Sequence, residues 1–221
     1  MAIARDANSN GNASATSLTF SHTCGGANRL LLVGVTTYGG AAVDIVTGIT
    51  YNGTSLTKID HQNCNALAPT AHLYYLIAPS TGANNIVIST SLTGLIIGIG
   101  ASYTGCKQTG QPDGTSKNNT GGATSLSSSI TTTADNSWMT AMFTVNNGTS
   151  PTASAGSSIL VNETGSGQNS NCFLDSNGAK TPAGSYSIGL TWTSSNRAAI
   201  VAASISPSID STSPSFLLNF L

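Results

Sequence analysis

The stretch Asn28 to Tyr38, NRLLLVGVTTY, sets an apolar block, Leu30 to Val33, ahead of Gly34 and the β-branched trio Val35, Thr36 and Thr37, with Gly-Gly on either side. A run that short, bounded by glycine pairs, predicts a buried strand rather than a helix. Leu95 to Tyr103 (LIIGIGASY) and Ala198 to Ile205 (AAIVAASI) have the same texture, and the three are expected as neighbours in one core. Elsewhere short runs alternate apolar and hydroxyl residues, as in Thr16 to His22, where Leu18 and Phe20 predict a half-buried antiparallel strand. The clearest turn signal is Asn52-Gly53 between ITY and TSLTKI, a pair that accepts the positive φ angles of a type I′ hairpin. Further strands are expected at Ala71 to Ala78, Ile86 to Thr90, Ser125 to Thr132, Trp138 to Val145, Ser158 to Asn162, Cys172 to Asp175 and Tyr186 to Trp192.

About twelve short strands, with turn signals every 8 to 15 residues or so and no helical period, predict an all-β, antiparallel two-sheet sandwich of jelly-roll type. Residues 1–15 read as an extended N-terminal arm, 16–205 as the sandwich, and 206–221 as a Ser/Pro-rich spacer that ends in the apolar FLLNFL. Gly105 to Gly122 reads as a long polar segment.

Only 7% of the residues are charged, against about 25% in ordinary globular proteins, so the surface is built of hydroxyls and amides. The net charge of −1 gives no field to attract nucleic acid or anionic lipid, and it leaves copies of the chain free to approach one another. No stretch reads as a secretory signal or as a membrane span. A chain of this composition made in a cytoplasm fits a virion component, with an extracellular or cell-surface location as the alternative.

Four cysteines, Cys24, Cys64, Cys106 and Cys172, are spread without a C-x-x-C pair, which speaks against zinc ribbons and redox motifs. They either form disulfides, in a pairing that spacing does not choose, or stand as small buried thiols.

The order NRLLLVGVTTY, VTGITYNGTSLTKI, HLYYLIAPSTGANNIVIS and GASYTGCKQTG, over residues 16–205, resembles a family of uncharacterised β-sandwich proteins in phage and environmental bacterial sequences. The resemblance implies a jelly roll similar to concanavalin A-like and laminin G-like modules of virion or surface proteins. The chain departs from the lectin pattern in having no compact Asp/Asn cluster for calcium and manganese.

Candidate chemistry is sparse. Glycoside hydrolysis usually needs two carboxylates across a cleft, and the chain has one glutamate, Glu163, with seven aspartates scattered mostly in turns. Only His22, His61 and His72 could serve a nucleophile, no G-x-S-x-G elbow exists, and Asp60-His61 near Cys64 reads as a polar loop rather than a metal or catalytic site. No catalytic residue, metal ligand or cofactor is therefore expected. Sequons at Asn12, Asn52, Asn118, Asn147 and Asn162 follow from a composition rich in Asn, Ser and Thr. Two candidate binding features remain. Tyr75 and Trp192 could stack on a host surface glycan, and Phe216, Leu217, Leu218 and Phe220 form an apolar tail able to dock on a neighbour's sheet edge or groove or to fold back on its own domain. The expected function is a non-enzymatic virion structural or decoration protein that self-associates or docks on a capsid, tail or fibre; the alternative is a carbohydrate-binding or adhesion module.

Overall fold

Thirteen strands and no helix make up this computed structural model, which describes residues 1–39, 44–147, 150–164 and 170–208. The first seven strands form one antiparallel sheet: β1 (Ala4–Cys24), β2 (Leu30–Tyr38), β3 (Val46–Tyr51), β4 (Thr54–Ser55), β5 (Thr57–Cys64), β6 (Leu67–Ile77) and β7 (Gly82–Thr104). The last six form the other: β8 (Gly114–Thr131), β9 (Trp138–Val145), β10 (Thr152–Ala153), β11 (Ser158–Thr164), β12 (Ser170–Asp175) and β13 (Ser185–Ile205). The two sheets pack against each other, so the antiparallel two-sheet sandwich expected from the alternation is the fold.

Each sheet also folds over on itself. β7 pairs with β2 through Leu95 to Tyr103 and with β3 through Ile86 to Thr90, while β1 follows it on the other edge with a register shift between Ala15 and Ser17. The doubling-over encloses a core of its own, where Leu31, Val33, Val35 and Ile96 meet Leu18, Ile49, Tyr51, Ile86 and Ile88. Gly98 permits the closure, because a Cβ there would lie 2.6 Å from Ile88 Cδ1 and 2.7 Å from Phe20 Cε1. The second sheet holds a matching core of Leu126, Met139, Phe143, Leu174, Leu190 and Trp192. A third, central core lies between the sheets and contains Leu30, Leu32, Leu73, Ile99, Tyr103, Met142, Phe173, Val201 and Ile205. The three apolar stretches singled out in the sequence do meet there: β2 pairs with β7, and Ala199, Val201, Ala203 and Ile205 of β13 face them.

The two sheets repeat one topology. Leu18 pairs with Ile88 as Leu126 pairs with Leu190, Leu30 with Tyr103 as Trp138 with Ile205, and Val35 with His72 as Phe143 with Cys172. The tetrapeptide Ala15-Thr16-Ser17-Leu18 recurs as Ala123-Thr124-Ser125-Leu126 in the matching strand. Gly34 of β2 and Met142 of β9 hold the same place in the two copies, and they touch: a Cβ on Gly34 would lie 2.5 Å from Met142 Sδ. Contact between equivalent positions is what a two-fold relation between duplicated units produces.

Two local expectations change. Residues 4–15 are not a loose arm but the first half of β1, paired with β7 from Thr104 to Gly94. The polar segment after Gly105 is likewise strand from Gly114 onward, paired with β13. Both strands run without an apolar alternation because their backbone bonds to β7 and β13 hold them. The hairpin at Asn52-Gly53 forms as expected, with φ of 49° and 76° and Tyr51 opposite Thr54.

Candidate functional site

At one end of the sandwich the first residues of the chain and the last described ones meet. The backbone there is tied by the Met1 ammonium donating to the Ser208 carbonyl at 2.9 Å and by a bridge between Cys106 and Pro207. Between them opens a cleft of about 450 Å³ lined by Met1, Ala2, Ile3, Asn136, Trp138, Ala179, Pro207 and Ser208. Trp138, the first residue of β9, is half-buried, and its ring meets Tyr103 edge-on at 6.0 Å and 68°. The Arg5 guanidinium lies 6.0 Å from the Trp138 centroid.

A bonded group of buried and half-buried side chains lies beside Trp138. Arg5 grips Asp175 with both prongs, Nε to Oδ2 at 2.7 Å and Nη2 to Oδ1 at 2.5 Å, and the carboxylate is fully buried. It also accepts Tyr103 OH at 3.2 Å and the Asn177 N–H at 2.8 Å. The bond to Asp175 holds the Arg5 guanidinium above its ordinary pKa despite partial burial, and burial raises the Tyr103 hydroxyl well above its own. With both carboxylate oxygens already bonded, Asp175 is suited to orient Trp138's neighbours, and the cleft offers an apolar wall rather than a reactive group.

A second cluster lies on the first sheet. His61 and His72 are direct cross-strand partners on β5 and β6, and their rings stack at 5.8 Å. His72 is buried; its Nε2 is 3.1 Å from Thr37 Oγ1, and its Nδ1 is 3.4 Å from Asp44 Oδ1. Burial pushes the His72 pKa down to about 3 against the pull of Asp44, so the ring is neutral near pH 7. Burial alone would raise the Asp44 pKa, but Lys58, bonded to it, and the two histidines bring it below the ordinary value. His61 Nδ1 is 3.8 Å from both Asp44 and Asp60, and Asp60 in turn holds Lys117 Nζ at 2.9 Å. Thr37, His72 and Asp44 follow the order of a relay, yet the Thr37 hydroxyl is only 2% exposed and has no open face toward a substrate. Among the described residues no three His, Cys, Asp or Glu side chains form a group able to hold a metal ion. Beside the cluster runs a groove of about 380 Å³ lined by Asp44, Lys58, Tyr74, Thr47, Thr50 and Ser55 together with the apolar Val46, Ile49 and Leu56.

Sequence reasoning saw Asp60, His61 and His72 but missed Thr37, Asp44 and Lys58, which pairing brings together from three strands and a loop. The stretch read as a polar loop is strand, Asp60, His61 and Cys64 lying in β5, and the Cys64 thiol points to the Thr144 carbonyl in the central core.

The other candidate residues lie elsewhere in the fold. Trp192 is 4% exposed and packs on Phe143 at 5.6 Å, so it presents no face to a glycan; with Ile188 and Leu190 it shares the inward side of β13, a period-two signal the sequence carried. Tyr75 is half-buried against the central core, and its neighbour Tyr74 is buried in the first sheet's own core. Cys24, Cys64, Cys106 and Cys172 are four free, buried thiols; Cys24 and Cys172 lie in different cores, and Cys64 and Cys106 in the central one. Glu163 joins the sheets by accepting the Asn10 and Asn12 amides at 2.6 and 2.8 Å. The tail residues Phe216, Leu217, Leu218 and Phe220 lie outside the described residues.

Against known proteins the chain finds no counterpart: no family model, no curated protein and no solved structure matches it.

Proposed function

We propose that the protein is a non-enzymatic structural subunit that self-associates, of the kind that builds or decorates a virion by docking on a capsid, tail or fibre. The observation that carries this reading is the cleft at Trp138, lined mostly by apolar residues and set beside the bonded Arg5–Asp175 pair, with Ser208, the last described residue, in its wall. A nearly uncharged exterior, with net charge −1, supports it by removing the repulsion that keeps like copies apart. The resemblance to phage sandwich proteins supports the virion setting. Sedimentation of the full chain across a wide concentration range tests the reading: concentration-dependent assembly is the expected result, and a monomer throughout overturns it.

One observation favours a second reading, the glycan-binding module. The groove at Asp44, Lys58 and Tyr74 joins a carboxylate, an ammonium 5.9 Å from an aromatic centroid, and a row of hydroxyls, a mixture that suits a polyhydroxylated ligand. Binding on a glycan array that disappears with Lys58→Ala would move the assignment there.

A further inference from the structure

The cleft at Trp138 and the sequence beyond Ser208 bear on each other. Ser208 is itself part of the cleft wall, so the chain departs from the lip of the pocket. The next seven residues, 209–215, read IDSTSPS, and FLLNFL follows as residues 216–221. Fully extended, seven residues span at most roughly 25 Å. For the hexapeptide to enter the cleft from which its own spacer starts, that spacer would have to reverse on itself. The cleft of a second copy imposes no such reversal.

The chemistry of the two parts matches. Met1, Ala2, Ile3, Trp138, Ala179 and Pro207 give the cleft an apolar lining, and about 450 Å³ accommodates large side chains such as Phe and Leu. Five of the six residues in FLLNFL are apolar, and exposed to water they would form an association liability. We infer that Phe216, Leu217, Leu218 and Phe220 of one copy occupy the Trp138 cleft of a second copy of this chain, so that two copies exchange tails in a closed dimer. The inference rests on the self-association reading and supplies the contact for it. Reciprocal exchange satisfies the tail and the Trp138 cleft of each copy.

Complementation tests this. One variant lacks residues 211–221 and keeps its cleft. The other keeps its tail and carries Ala179→Trp, a change at an exposed position that fills the cleft from the solvent side without touching the core. Cooperative thermal melts and an unchanged far-UV spectrum establish that the two variants fold, the full chain's melting temperature being raised further by its own association; Ala179→Arg serves as the second blocking variant. By light scattering and sedimentation the full chain is expected to dimerise, each variant alone to be monomeric, and an equimolar mixture to form heterodimers. Those heterodimers use one tail instead of two, so they should dissociate roughly tenfold or more easily than the parent dimer. Replacing Phe216 and Phe220 by Ser in the blocked variant should abolish them. A mixture that stays monomeric overturns the exchange in favour of a tail seated on its own chain. A truncated chain that still dimerises overturns the exchange while leaving self-association standing, whereas a full chain that is monomeric at every concentration overturns both.

Discussion

Gly34 and Met142 form a close meeting of the two sheets, and a mutant cycle between them measures whether the sheets are held by interlocking shape or by burial alone. A Cβ on Gly34 would stand 2.5 Å from Met142 Sδ, 2.9 Å from its Cγ and 3.0 Å from its Cβ. The sulfur can swing aside, but the Met142 Cβ is fixed to its backbone, so Gly34→Ala overfills the central core at a cost of about 1–3 kcal/mol. Reduced freedom of the unfolded chain offsets about 0.4–1 kcal/mol of that. Met142 is fully buried, so Met142→Ala should cost about 2–5 kcal/mol through lost burial and the void it leaves. In the double variant the new methyl enters the vacated space, and the Gly34→Ala penalty should vanish. The double variant should therefore be no less stable than Met142→Ala, a coupling of about 1–2 kcal/mol. Guanidinium unfolding followed by tryptophan fluorescence, at one protein concentration, gives the four stabilities. Additivity within about 0.5 kcal/mol would refute the interlock and with it the close two-fold contact.

Arg5→Met should destabilise by about 3 kcal/mol, because it leaves the buried Asp175 carboxylate without its cation, and Arg5→Met/Asp175→Asn should recover most of the loss in a thermal melt. Acid should weaken the fold through its buried histidines: burial holds His72 near 3 and His22 near 4, below their ordinary 6.5. Between those values and 6.5 the unfolded chain binds protons that the folded chain does not. Stability is therefore full above about pH 6.5 and falls as pH drops toward 3, by up to about 1.4 kcal/mol per unit for each ring, and His72→Cys should flatten the slope of stability against pH. Burial pushes the Cys64, Cys106 and Cys172 thiols up to about 12, so a thiol reagent at pH 8 should label them only at the rate of unfolding and then reach all four cysteines in denaturant.

The parts of the fold that were legible are those whose signals are local. Leu30 to Val33 with flanking glycines marks β2, Asn52-Gly53 marks the hairpin of β3 and β4, and Trp138 to Val145 matches β9 residue for residue. The segments 4–15 and 114–124 were not legible as strand because they have too few apolar positions to alternate: Asn8, Ser9, Asn10, Gly11 and Asn12 are held by pairing with β7, a partner some 90 residues away. The repeat was written in the chain, in Ala-Thr-Ser-Leu at both 15–18 and 123–126, but the flanking residues have diverged so far that strand pairing exposes it first. The site was least legible. Arg5 meets Asp175, and Asp44 meets His72, across separations that no motif spacing records.

The duplication separates what the fold requires from what it does not. At the positions where the first sheet has Thr37, Lys58, His61 and His72, the strand registers put Val145, Ile159, Asn162 and Cys172 in the second. Those four side chains are uncharged and build the same architecture, so the charged cluster of the first sheet answers no demand of the topology. The same comparison sets Asp175 against Tyr75 and Tyr103 against Ile205, so among the described residues the Asp175–Tyr103 bonding beside Trp138 also belongs to one copy and is likewise no demand of the topology.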